Sequence, residues 1–132
     1  EAVGSFEATR FASGRKNYNH FEINGSKGSL VFTLEKMNEL QFYSVEEPGH
    51  LRGFKTILAT DPSHPYMEAW WPPGHIVGYE HTFINQAYDL LDGITNDKPL
   101  APDFHDGLQC QQVLDAVLKS AGEKQWITVQ DM

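Results

Sequence analysis

Between His20 and Ala59 the apolar side chains recur at every second position, and from Gly78 onward they recur at every third or fourth. A strand turns successive side chains to opposite faces, whereas a helix brings them back about every 3.6 residues. One change of period along one chain confines it to a sheet followed by helices. In HFEING, residues 20–25, Phe21 and Ile23 share a face opposite His20, Glu22 and Asn24. Gly25-Ser26-Lys27-Gly28 supplies a tight turn. SLVFTLE (29–35) follows, with Leu30, Phe32 and Leu34 together, then MNELQFYSV (37–45) and GFKTILA (53–59) after the break at Pro48-Gly49. SFEATRFA (5–12) alternates in the same way and is expected to be a strand, as are Trp126, Ile127 and Val129 near the other end.

The helical half has two parts. GYEHTFINQAYDLLDGI places Phe83, Ala87, Leu90 and Ile94 on one stripe, widened by Ile84 and Leu91. The second helix, LQCQQVLDAVLKSA, turns Cys110, Val113, Leu114, Val117, Leu118 and Ala121 toward a core; Asp106 is its expected N-cap, with Gln109 three residues on. Short strands joined by tight turns imply an antiparallel meander. The fold class is therefore α+β: an open, mostly antiparallel sheet with helices packed on one face, formed by residues 1–132 as a single domain. The uncovered face is left for water, a ligand or another protein.

Composition removes several functions. A formal net charge of -8 argues against nucleic acid, which is bound through a basic face that releases counterions. No apolar run approaches the roughly 20 residues needed to cross a bilayer. The lone Cys110 excludes an intrachain disulfide and fits a reducing, cytoplasmic setting; its place on an apolar stripe predicts a buried, inert thiol. Glu1 is not an ordinary translation start and no retained signal peptide follows it, so either a cleaved leader or a piece of a longer protein is expected.

Catalytic patterns are not visible. The histidines, His20, His50, His64, His75, His81 and His105, fall in no H-x-x-x-H or H-E-x-x-H spacing, so no metal site is expected. The glycines form no dinucleotide or phosphate cradle, and no nucleophile elbow exists. A binding surface is visible instead. In WWPPGHIVGYEHTF (70–83), aromatic side chains flank His75 in a loop stiffened by Pro72-Pro73. Trp70, Trp71, Tyr66 and Tyr79 can supply flat walls; Trp71, His75 and Tyr79 are candidate ligand contacts, with Arg10, Arg15 and Asn17 as hydrogen-bond donors, and Trp126 is expected to pack between sheet and helix.

Four phrases, taken in order, resemble one family. EATRFASGRKN, FEINGSKGSLVFTLEKMNEL, WWPPGHIVGYEHTF and FHDGLQCQQVLDAVLKSA are similar to the C-terminal half of Gfo/Idh/MocA oxidoreductases, the glucose-fructose oxidoreductase and inositol dehydrogenase family. The resemblance runs from about Val3 to Val129. It implies an N-terminal Rossmann domain, absent from this chain, that binds NAD or NADP and carries the catalytic lysine and histidine. It implies that this chain supplies substrate recognition and homo-oligomerisation through the open sheet, has no catalytic or cofactor-binding residue of its own, and is inactive alone. The implied substrate is a sugar or polyol, walled by Trp71, His75 and Tyr79 with Arg10, Arg15 and Asn17 on the same side. The competing expectation is a stand-alone α+β ligand-binding or scaffolding module without redox activity.

Overall fold

The computed structural model describes residues 2–129. Four strands form one sheet in the order β1-β2-β3-β4: β1 His20–Gly25, β2 Gly28–Thr33, β3 Glu39–Ser44 and β4 Lys55–Leu58. Every neighbouring pair is antiparallel. Two helices follow, α1 Tyr79–Asn96 and α2 Phe104–Glu123. The class is α+β with an open antiparallel sheet. The chain divides into two compact units, Glu1–His81 and Thr82–Met132, and the boundary falls inside α1.

In the first unit, the β1–β2 hairpin closes on the pair Gly25↔Gly28, so Ser26 and Lys27 are its two turn residues. Gly28 is required by close approach: a Cβ there would run into the backbone carbonyl oxygen of Tyr43 on β3. The register sets Phe21, Phe32, Leu40 and Ile57 in one row across the sheet, and Ile23, Leu30 and Phe42 in the next. The Phe21 and Phe32 rings lie 5.3 Å apart. The opposite face is polar and internally bonded. Ser29 Oγ donates to Asn24 Oδ1 at 2.6 Å, Asn24 donates to Glu22, and Gln41 Nε2 donates to Thr56 Oγ1 at 2.9 Å. All of β2 and β3 is half-buried, while β1 is exposed at every residue. Among the described residues of this unit, the buried side chains are Met67 and Thr60.

Five expectations are corrected. Residues 5–12 form no strand, and Phe6 and Phe11 are essentially fully exposed. Period-two alternation makes a strand only where a neighbour completes the ladder, and no described residue pairs with this segment. Residues 126–129 likewise form no strand, and Trp126 is wholly exposed rather than packed. The N-cap of α2 is Asp103, not Asp106. Asp103 Oδ1 accepts from the His105 and Asp106 backbone N–H groups at 2.7 and 3.2 Å, and Asp106 Oδ2 accepts from the Asp103 N–H at 2.8 Å. This is a capping box with aspartate in the place usually held by Glu or Gln, which moves the helix start one turn earlier than the expected pattern. Finally, Cys110 is exposed, because α2 buries none of its residues.

The helices of the second unit keep large apolar side chains in solvent, among them Ile94 on α1 and Leu118 on α2. Asp97 takes the left-handed conformation after α1, and the Lys98 N–H returns to the Gly93 carbonyl at 3.0 Å, the six-to-one bond of a Schellman end. Asp92 fastens that end, accepting from Asn96 Nδ2 at 2.6 Å and from Lys98 Nζ at 2.8 Å. These two donors hold the Asp92 carboxyl below its usual range, and Asp92 in turn raises the Lys98 ammonium.

Candidate ligand cleft

The segment 70–81 runs from the end of the 3₁₀ turn Met67–Ala69 through the first turn of α1. A loop rich in proline and glycine has few local ways to pair its backbone, so side chains do the work. Asn38, just before β3, grips it from 39 residues away: Asn38 Nδ2 donates to the Val77 carbonyl at 2.8 Å and Asn38 Oδ1 accepts from the Val77 N–H at 2.9 Å. The amide side chain thereby imitates one rung of a β-ladder. Gly74 sits at φ 92°, a conformation that costs other L-residues about 1–2 kcal/mol. The turn so formed returns the His75 N–H to the Pro72 carbonyl at 3.2 Å.

The start of α1 is closed by His81. Its Nδ1 accepts the Gly78 N–H at 3.0 Å, while the His81 N–H reaches the Gly78 carbonyl at 3.1 Å. Gly78 is thus capped from the third helical residue, the half of a capping box usually made by Glu or Gln. Glu80 Oε1 stands 3.6 Å from the same Nδ1, but the lone pair there is already taken by Gly78, so this contact is not a charged hydrogen bond. Glu80 does place negative charge in the first turn, where the helix dipole favours it.

Between these anchors lies a cleft of about 620 Å³ lined by Trp70, Trp71, Gly74, His75, Ile76, Val77 and His81. The Trp71 and His75 rings are 5.4 Å apart and tilted; the Trp70 and His81 rings meet edge to face at 4.5 Å. The indole Nε1 of Trp70 is buried without a hydrogen-bond partner, a donor whose desolvation costs about 1–3 kcal/mol. Apart from the two imidazoles, no lining side chain is ionisable. Such a wall can stack a flat or ring-shaped ligand and hydrogen-bond it through histidine nitrogens. Among the described residues, no group of three His, Cys, Asp or Glu could hold a metal ion.

Trp71 and His75, expected from the sequence as ligand contacts, are thus brought together. Tyr79 is half-exposed at the first position of α1 and is not among the cleft-lining residues. Arg10 lies in the exposed N-terminal segment. Arg15 is engaged elsewhere: its guanidinium carbon sits 3.8 Å above the Tyr18 ring and Nη1 lies 3.6 Å from Glu35. Tyr18 stacks in turn on His20 at 5.1 Å, and the Lys16 N–H donates to Glu35 at 3.1 Å. Asn17 belongs to that same loop, its carbonyl accepting the Asn19 N–H at 2.9 Å. Trp70, expected as one of the aromatic walls, lines the cleft, whereas His81 was not among the expected ligand contacts. The available signal was Gly78-x-x-His81 at a helix start, where a histidine can reach back to the capping N–H.

Comparison with known proteins decides the family. The model of the Gfo/Idh/MocA oxidoreductase family, C-terminal alpha/beta domain, matches residues 1–129. The chain belongs to this family. It is 43% identical over 129 residues to a levoglucosan dehydrogenase of Pseudarthrobacter phenanthrenivorans, covering 97% of this chain and 33% of that protein. A crystal structure of an oxidoreductase domain protein from Kribbella flavida superimposes with TM-score 0.91 at 53% identity, over 93% of this chain and 33% of that one. A levoglucosan dehydrogenase in complex with NADH and levoglucosan gives TM-score 0.88 at 40% identity, over 94% of this chain and 34% of that one. The chain therefore spans about a third of the length of these relatives. Among the described residues, no helix is long and apolar enough to cross a membrane.

Proposed function

We propose that this chain is the substrate-side domain of a cytoplasmic, two-domain, NAD(P)-dependent dehydrogenase acting on a sugar or polyol. The family supports the oxidoreductase part, and the relatives solved with NADH, levoglucosan or L-sorbose support NAD and an uncharged sugar. The one-third coverage leaves room in such a protein for a separate nucleotide-binding domain, which would supply the hydride acceptor and the acid–base groups. The observation that carries the reading is the cleft itself, in which indole and imidazole rings form a wall suited to the C–H face and hydroxyls of a sugar. Trp71 stacks the ring and His75 orients it. Their contribution to rate is placement of the reacting carbon against the nicotinamide. Alone, the chain has no turnover.

The same reading takes the open sheet as a homo-oligomer contact. Exposed Phe21 and Ile23 on the outer strand support a second copy there, since a soluble surface rarely leaves such a patch bare.

The test is to express the longer protein that carries this chain and to follow nicotinamide reduction with levoglucosan, other neutral sugars and polyols, using NAD and NADP in turn. Sugar-dependent reduction is expected. A protein that binds no nicotinamide and reduces none with any of these substrates would remove the reading in favour of a ligand-binding or scaffolding module without redox activity.

A further inference from the structure

The backbone assigns the protons of the two cleft histidines, and assigns them oppositely. His75 Nδ1 lies 2.8 Å from the Pro72 carbonyl oxygen. A carbonyl can only accept, so Nδ1 carries the hydrogen and neutral His75 keeps its lone pair on Nε2. His81 Nδ1 lies 3.0 Å from the Gly78 backbone N–H. An N–H can only donate, so Nδ1 keeps the lone pair and the hydrogen of neutral His81 is on Nε2. One cleft thus holds an imidazole with a free acceptor and an imidazole with a free donor, each fixed in its tautomer by main chain rather than by a neighbouring charge.

We propose that His75 and His81 act as an acceptor–donor pair that orients a hydroxyl-bearing ring. A ring hydroxyl donates to His75 Nε2, and a ring or hydroxyl oxygen accepts from His81 Nε2–H. The indoles of Trp70 and Trp71, which contact these two imidazoles, take up the apolar face of the same ring. This rests on the proposed function and deepens it by naming the two side chains that fix the ring's orientation.

Asparagine separates the two roles of each ring, because its amide reproduces the bonding of Nδ1 and nothing beyond. H75N keeps a donor for the Pro72 carbonyl and H81N keeps an acceptor for the Gly78 N–H, while each removes the nitrogen left for a ligand. In the longer protein carrying this chain, each variant is expected to raise KM for a neutral sugar about tenfold, the worth of one good hydrogen bond, with the nicotinamide KM unchanged. For H75N the penalty should vanish with the deoxy-sugar that lacks the recognised hydroxyl. Turnover of neutral sugars with KM unmoved in both variants would overturn this inference and leave the proposed function standing. No oxidation of any sugar by the parent enzyme removes both.

Discussion

Asn38 is where the structure commits most to a single side chain. It ties the cleft loop to the sheet through two hydrogen bonds with the Val77 main chain, at 2.8 and 2.9 Å, both partly buried. Replacing it with alanine removes both bonds and leaves the Val77 N–H and carbonyl without their partner. At about 1 kcal/mol net for each bond, Asn38→Ala is expected to cost about 2 kcal/mol. A melting entropy of about 2.1 cal/mol/K per residue over 132 residues converts this to a fall in Tm of about 7 °C. Asn38→Asp is the sharper probe. The aspartate can still accept from the Val77 N–H, but at neutral pH it turns a second carboxylate oxygen toward the Val77 carbonyl, oxygen against oxygen. The folded state then favours the protonated acid, so the carboxyl pKa rises on folding. Stability of this variant is therefore highest below the unfolded pKa and is lost as pH rises through the folded one, the reverse of an ion-paired aspartate. Urea denaturation of the parent, Asn38→Ala and Asn38→Asp at neutral and acid pH measures all of this. Asn38→Ala within about 0.5 kcal/mol of the parent, the range of an ordinary surface substitution, would refute the clamp, as would an Asn38→Asp that gains nothing on acidification.

Further outcomes follow from other sites. Gly28→Ala forces a methyl into the Tyr43 carbonyl on the neighbouring strand and is expected to destabilise by about 1–3 kcal/mol or more, read by denaturation; neutrality would mean that the hairpin shifts freely. Asp103→Ala removes the acceptor for two N–H groups at the start of α2 and should cost about 1 kcal/mol, with faster amide exchange confined to the first turn. The Asp92–Lys98 lock has a defined pH window: Asp92 is depressed below 3.8, so its contribution is present above that value and lost as pH falls further, and Lys98 is raised above 10.5, so its share is present below that value and lost above it. Amide exchange at the C-terminal end of α1, corrected for intrinsic rates, should therefore be flat between these limits and accelerate outside them; a step near neutrality would contradict the assignment. Trp126→Ala should leave the stability of this chain unchanged within about 0.5 kcal/mol, since the indole is wholly exposed.

How much of this was legible in the sequence depends on how local the cause is. β1 could be bounded from its alternation and the following glycines, because strand and turn carry their own signals over a few residues. Trp71 and His75 could be paired for the same reason, since Pro72, Pro73 and Gly74 fold the chain back on itself within one turn. Segment 5–12 carries an equally clean alternation and forms no strand, because pairing depends on a neighbour that its own residues cannot specify. The Asn38 clamp spans 39 residues and leaves no local trace. Arg15 read as a free donor, but Tyr18 and Glu35 occupy it, and that depends on how the loop folds over the sheet edge. The opposed tautomers of His75 and His81 need three-dimensional placement of two backbone groups, which residue types alone do not give.

The most direct test of the central claim, that residues 70–81 form a substrate wall, is a crystal structure of the longer protein with a neutral sugar and reduced nicotinamide bound. The account predicts the sugar ring against the Trp71 indole, with a hydroxyl on His75 Nε2. A sugar seated beside the nicotinamide with Trp71 and His75 both out of contact would contradict it.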